Sequence, residues 1–228
     1  MKKIILALFD VLTWPFAKLP LRSLNLKFEH LFRLIYASYL KPQFKHCTRL
    51  ILGSTRLHLA GMQYMELGED VELYFDARLE CIDSFANTGQ RFTPRLVLHD
   101  KVVIASLCRI GCINHVEIGE WTTMGSKCYI TDHTHGGTTR EELEKPPRMR
   151  ELVSRGPVII GKHVHIGEGV SIMPGVTIGD FALIGAGSVV TKDIPKNSVA
   201  YGNPCRVVRE INEHDREYYY KNRKNDME

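Results

Sequence analysis

No apolar run in the 228-residue chain reaches the ~20 residues that a membrane-spanning helix needs, so no spanning helix is expected. The six cysteines (Cys47, Cys81, Cys108, Cys112, Cys128 and Cys205) include no C-x-x-C pair, which removes the zinc-ribbon and dithiol redox motifs. Gly185-Ala186-Gly187 lacks the strand–GxxxxGK–helix context of a phosphate loop. The opening Met1-Lys2-Lys3 and Ile4–Phe9 resemble a secretory leader. Asp10 breaks the run before a signal core is complete, and no small-residue cleavage site follows. The chain is therefore read as cytosolic, with reduced thiols. Acidic residues are scarce at the start. Residues 1–50 hold nine Lys and Arg against Asp10 and Glu29, a net of +7. The whole chain carries +4, so the remainder carries −3. The body has no basic stripe with interleaved aromatics, so no nucleic-acid partner is expected.

What is present is a repeat. From residue 160 an aliphatic side chain recurs every six positions: Ile160, Ile166, Ile172, Ile178, Ile184 and Val190. Four residues after each lies a small or β-branched residue: Val164, Val170, Val176, Ala182 and Ser188. Period six fits neither the helix nor the alternating strand. The same template covers Leu67, Leu73 and Leu79; Leu98, Ile104 and Ile110; and Ile118, Met124 and Ile130. Interruptions fall only between blocks of three: at 80–97, in a two-residue slip between 110 and 118, and at 131–159. Three hexapeptides therefore form one structural turn, a triangular coil. One aliphatic per side points inward, and each coil's backbone pairs with the coils above and below. Cys108 and Cys128 fall at the small position and read as interior packing.

This pattern resembles the left-handed β-helix, or hexapeptide-repeat, acyltransferases. Ile166–Pro195 is similar to that family's signature region, and Gly202–Arg209 (GNPCRVVR) to its closing motif. The tail 210–219 resembles galactoside and maltose O-acetyltransferases. The loop Ile130–Gly136 (ITDHTHG) resembles O-acetyltransferases of bacterial surface polysaccharides. The resemblance spans about residues 60–220 and implies an all-β core, a left-handed parallel β-helix of five or more coils. It also implies acetyl-coenzyme A as donor, no required metal, a sugar or saccharide acceptor, and a homotrimer with sites between neighbours.

Three regions follow. Residues 1–50 form an N-terminal helical segment, with Leu31, Leu34, Ile35 and Leu40 at near-helical spacing. It is expected either to cap the open prism end or, through residues 1–45, to touch a membrane surface; both can hold. Residues 51–206 form the β-helix, with the long loop 131–159. Residues 207–228 form a C-terminal helix and tail.

The loop carries the candidate chemistry, since long excursions from a rigid scaffold are commonly functional. His133 and His135 start it directly from a coil corner. By the resemblance, an ungapped count from Ile118-Gly119 gives His135 as the general base, with His133 orienting substrate or packing on a neighbouring subunit. Asp132 either fixes a tautomer, binds the acceptor or simply turns the chain. Asn114 and His115, at the slip, either face the same cleft or form a turn. The galactoside enzymes carry an Asn on the preceding coil where this register gives Ala105, which argues for a different acceptor. For the donor, the resemblance implies Ala186, Thr191, Lys192, Arg206 and Arg209.

The expected activity is O-acetylation of a sugar hydroxyl in surface polysaccharide synthesis, by direct transfer in a ternary complex. The alternatives are N-acetylation of a nucleotide-linked amino sugar, a γ-carbonic-anhydrase-like zinc enzyme using His115, His133 and His135, and an idle scaffold.

Overall fold

A computed structural model describes residues 21–212, with side chains from residue 26 onward. Helix α1 (Leu21–Leu40) leads into six coils of short strands. The first coil is β1 (His46–Cys47), β2 (Leu50–Leu52) and β3 (His58–Ala60). The second is β4 (Met65–Leu67), β5 (Val71–Leu73) and β6 (Arg78–Cys81). A hairpin of β7 (Ser84–Phe85) and β8 (Gln90–Arg91) leaves the corner before the third coil, β9 (Arg95–Leu98), β10 (Val103–Ile104) and β11 (Arg109–Cys112). The fourth is β12 (His115–Ile118), β13 (Thr123–Met124) and β14 (Tyr129–Thr131). An excursion with β15 (His133–His135), the short helix α2 (Arg140–Glu144) and β16 (Leu152–Ser154) precedes the fifth coil, β17 (Val158–Ile160), β18 (His165–Ile166) and β19 (Ser171–Ile172). The sixth is β20 (Thr177–Ile178), β21 (Leu183–Ile184) and β22 (Val189–Val190). Strands β23 (Ser198–Tyr201) and β24 (Arg206–Glu210) close the stack.

The strands assemble into three faces in the orders β1-β4-β9-β12-β17-β20, β2-β5-β10-β13-β18-β21-β23-β24 and β22-β19-β14-β11-β6-β3. Every pairing between coils is parallel and in register, the arrangement of a left-handed β-helix. The period-six residues form the interior columns: Leu67, Leu98, Ile118, Ile160 and Ile178 on one face, and Leu79, Ile110, Ile130, Ile172 and Val190 on another. All are essentially inaccessible to water. At ~1.5–3 kcal/mol per buried aliphatic side chain, these columns supply the main driving force for folding. The small positions tuck in beside them. The Cys108 thiol donates to the Gly125 carbonyl and the Cys128 thiol to that of Gly167, each on the next coil.

Two boundaries differ from the sequence expectation. The coils begin at His46 rather than 51, because Cys47 and Leu50 already face inward. The helix expected from 207 is replaced by β24 as far as Glu210; residues 213–221 lie outside the described residues. The last coil would otherwise end in an open strand edge. Antiparallel pairing of β24 on β23 covers that edge, and β-branched Val207 and Val208 suit a strand.

Glycine permits close stacking at some coil corners. A Cβ at Gly167 would lie 2.5 Å from the Ala186 backbone nitrogen, whereas one at Gly169 would meet nothing within 4 Å. Gly167→Ala is therefore expected to destabilise by ~2–3 kcal/mol through overpacking. Gly169→Ala should cost only the ~1–2 kcal/mol of a non-glycine residue at positive φ. Thermal denaturation of the two variants checks the order.

Candidate active site

The site begins at the two-residue slip between β11 and β12. There the backbone N–H groups of Ile113 and Asn114 leave the regular coil ladder. Asp132, directly after β14 on the next coil, answers both: its carboxylate accepts from Ile113 N at 3.0 Å and from Asn114 N at 2.8 Å. This accounts for a fully buried carboxylate, since unpaired buried backbone donors are costly. The same carboxylate oxygen that meets Ile113 accepts from His133 Nδ1 at 2.9 Å. Burial pushes the Asp132 carboxyl up, but the bonds from His133, Ile113 and Asn114 together outweigh it and hold the group below its ordinary value.

His133 is held on several sides. Its side chain is 11% exposed. The Thr131 hydroxyl lies 3.2 Å from Nδ1 and also bonds the His133 backbone carbonyl. Beneath the ring is Gly111 on the preceding coil; a Cβ there would stand 3.3 Å from His133 Cε1. With Nδ1 bound to Asp132 and Thr131, no hydrogen bond occupies Nε2 among the described residues.

His135 is different. It is exposed, makes no hydrogen bond among the described residues, and meets the edge of the Phe85 ring at 5.7 Å between centroids. His115 turns away along the first face: its Nε2 lies 3.0 Å from Glu117, which also meets His99 at 2.8 Å. Asn114 does join the loop, its amide donating to Ser154 Oγ at 3.3 Å. The structure thus brings Asp132, His133 and Asn114 together and leaves His115 apart. Among the described residues, no three His, Cys, Asp or Glu side chains are grouped to hold a metal ion.

A second insertion supports the loop. The β15–β16 hairpin pairs His133 with Ser154 and His135 with Leu152. Gln90, on the β7–β8 hairpin, bonds the backbone of Leu152 at both ends: it accepts from Leu152 N at 2.8 Å and donates to Leu152 O at 3.0 Å. Asn87 donates to Arg148 O at 2.8 Å. Nothing in the residues of the interruption at 80–97 points to the loop 62 positions away, so its supporting role is visible only in the fold.

The residues implied for the donor gather at the last coil. Ala186 sits at the corner after β21, Thr191 and Lys192 at the corner after β22, and Arg206 and Arg209 on β24. Thr191, Lys192, Arg206 and Arg209 are exposed.

The Gln90 clasp is testable directly. Gln90→Ala is expected to speed amide exchange at Leu152, whose N–H donates to Gln90, about 5- to 30-fold, the equivalent of one or two hydrogen bonds. Gln90→Glu, which keeps only the acceptor, should fall between. Hydrogen-exchange mass spectrometry reads the difference, with protection of the coils unchanged.

Residues 157–192 match the family described as bacterial transferase hexapeptide (six repeats). Galactoside O-acetyltransferase of Escherichia coli is 52% identical over 95 residues, 42% of this chain and 45% of that protein, so the chain spans less than half of that relative's length. The putative lipopolysaccharide biosynthesis O-acetyl transferase WbbJ of E. coli is 35% identical over 146 residues, 57% of this chain and 74% of that protein. Among solved structures, the N-acyltransferase AntD of Bacillus cereus, in complex with dTDP-4-amino-4,6-dideoxyglucose and coenzyme A, superposes with a TM-score of 0.62 at 18% identity, covering 82% of this chain and 95% of that one. That likeness concerns the fold. With repeats in register through six coils, and three quarters of WbbJ matched at 35% identity, the chain belongs to the hexapeptide-repeat transferase family.

Proposed function

We propose that the protein is an acetyl-coenzyme A-dependent O-acetyltransferase of a saccharide hydroxyl, with His133 as general base. The observation that carries this is the Asp132–His133 pair. A buried carboxylate accepts from Nδ1–H and so favours the tautomer whose Nε2 lone pair is free. Nε2 takes the acceptor hydroxyl proton as that oxygen bonds to the acyl carbon. The resulting imidazolium returns the proton to the departing thiolate sulfur. Such a base typically contributes ~10²–10⁴-fold in rate. Asp132 remains ionised throughout, stabilising the imidazolium, in keeping with its lowered pKa. His133 thus replaces His135, favoured by register counting, because His135 has no carboxylate partner among the described residues.

The similarity to galactoside O-acetyltransferase and WbbJ supports an oxygen acceptor. The loop likeness to polysaccharide-modifying enzymes supports an acceptor in surface polysaccharide synthesis on the cytoplasmic side. The cations Lys192, Arg206 and Arg209 at the last coil suit the coenzyme phosphates, with arginine able to form forked contacts. A homotrimer belongs to the same reading, and a sedimentation mass of three chains is expected.

Thiol release from acetyl-coenzyme A against a panel of hydroxyl and amino sugars tests the proposal. His133→Ala should lose ~10²–10⁴-fold in kcat, while His135→Ala keeps turnover within about tenfold. Turnover restricted to amino sugars would move the assignment to N-acetylation. Full activity in His133→Ala would remove the base assigned here.

A further inference from the structure

The N-terminal helix is amphipathic in the opposite sense to a simple cap. α1 meets the first coil through buried Ala37 and Leu40, with Tyr36 packed against the core and Arg33 Nη1 donating to Gly53 O at 2.8 Å. Beside that contact run Phe28, Leu31, Phe32, Ile35 and Tyr39, at the i, i+3, i+4, i+7 and i+11 spacing of one continuous stripe. These five side chains are between 53% and 66% exposed. Phe28 and Phe32 border an open cavity with Gly53, Ser54 and Thr55 of the first coil, yet they remain more than half exposed, as do Leu31, Ile35 and Tyr39, so packing on the prism does not explain the stripe's apolarity.

Charge narrows what covers it. Between residues 11 and 65 the sole acid is Glu29, against eight Lys and Arg. Lys45, Arg49 and Arg56 pair with Glu66, Asp70 and Asp76 of the second coil and its corners. Lys27 and Lys41, at the two ends of the stripe, are exposed and have no ion-pair partner among the described residues. Joining two copies by this face would bring together two basic ends with one acid apiece. The preceding sequence offers no polar cover either: residues 1–20 add Ile4–Phe9, Trp14 and Phe16, with Lys2, Lys3 and Lys18 against Asp10 alone. No described helix is long and apolar enough to cross a membrane.

We propose that the exposed stripe of α1 lies in the headgroup–acyl boundary of an anionic lipid bilayer, holding that end of the β-helix against the membrane. The aromatic and aliphatic side chains enter the boundary while the flanking lysines meet anionic headgroups. The inward side of the same helix keeps its contact with the first coil, so docking requires no unfolding.

The test is flotation of the full chain with vesicles of phosphatidylcholine alone and of phosphatidylcholine containing phosphatidylglycerol. The wild type should float with the anionic vesicles, and the bound fraction should fall as salt is raised. The double variant Leu31→Gln/Ile35→Gln should lose about tenfold or more in partitioning at an unchanged thermal midpoint. Lys27→Gln/Lys41→Gln, which leaves the stripe intact, should weaken binding to anionic vesicles only. Failure of the wild type to float, or equal flotation of the stripe variant, overturns the proposal. So does a smaller sedimentation mass in the stripe variant, which would assign the stripe to a second copy. A lowered thermal midpoint with unchanged flotation would assign it to residues 1–20. None of these outcomes depends on turnover, so failure here leaves the proposed chemistry untouched.

Discussion

Parallel in-register stacking of one coil on the next is the constraint from which the rest of the molecule follows. Each strand is two to four residues long in the coils, too short to persist alone, and gains its hydrogen bonds only from the coils on either side. The three interior columns hold the period at six, since a slip of one residue would turn an aliphatic side chain to solvent. The corners must then repeat as well. Asp70, Lys101, Trp121, His163 and Phe181 occupy the same corner on successive coils, all at φ between 53° and 60°. Their side chains form a ladder: Lys101 bonds Asp70 and lies 5.2 Å over the Trp121 ring, Trp121 stacks on His163 at 6.4 Å, and His163 on Phe181 at 5.1 Å. Five non-glycine residues in the left-handed region cost ~1–2 kcal/mol apiece; backbone pairing and ladder contacts offset that cost.

A scaffold this regular can place chemistry only where it departs from its repeat. The slip at 113–114 frees two N–H groups, and the excursion after β14 supplies the carboxylate that accepts from them. Because strands β11 and β14 are adjacent, with Gly111 opposite Thr131, residue 132 lies directly over the slip. His133 follows by one bond and rests over a glycine that leaves room for its ring. Two irregularities, one on each coil, thus build one carboxylate–imidazole pair, and the β7–β8 hairpin braces its loop from the coil below.

The prism was legible in the sequence because each aliphatic column repeats with a single period and its breaks fall at whole turns. The family likeness followed from the same coils, and the loop with Asp132 and His133 stood out as an excursion. The proposed preference for His133 over His135 was not legible by counting. It depends on which imidazole meets a carboxylate, and that carboxylate's orientation is set by backbone donors 18 and 19 residues earlier. The two-residue slip was the available signal, for freed donors need an acceptor nearby. Strand β24 was missed because its pairing is tertiary: the charged pattern from Arg206 to Glu210 reads as well for a helix until an open edge lies beside it. The clasp of Gln90 on Leu152 joins two interruptions with no local periodicity.

The central claim is that Asp132 fixes His133 as the Nδ1–H tautomer, with Nε2 free to accept a proton. Nitrogen-15 NMR of the labelled protein reads that tautomer directly at neutral pH, with His133→Gln used to assign the resonance. The account predicts a protonated Nδ1 and an unprotonated Nε2 in His133, lost in favour of a tautomer mixture when Asp132 is replaced by alanine. A proton on Nε2 of the wild-type protein, with Nδ1 bare, would contradict it.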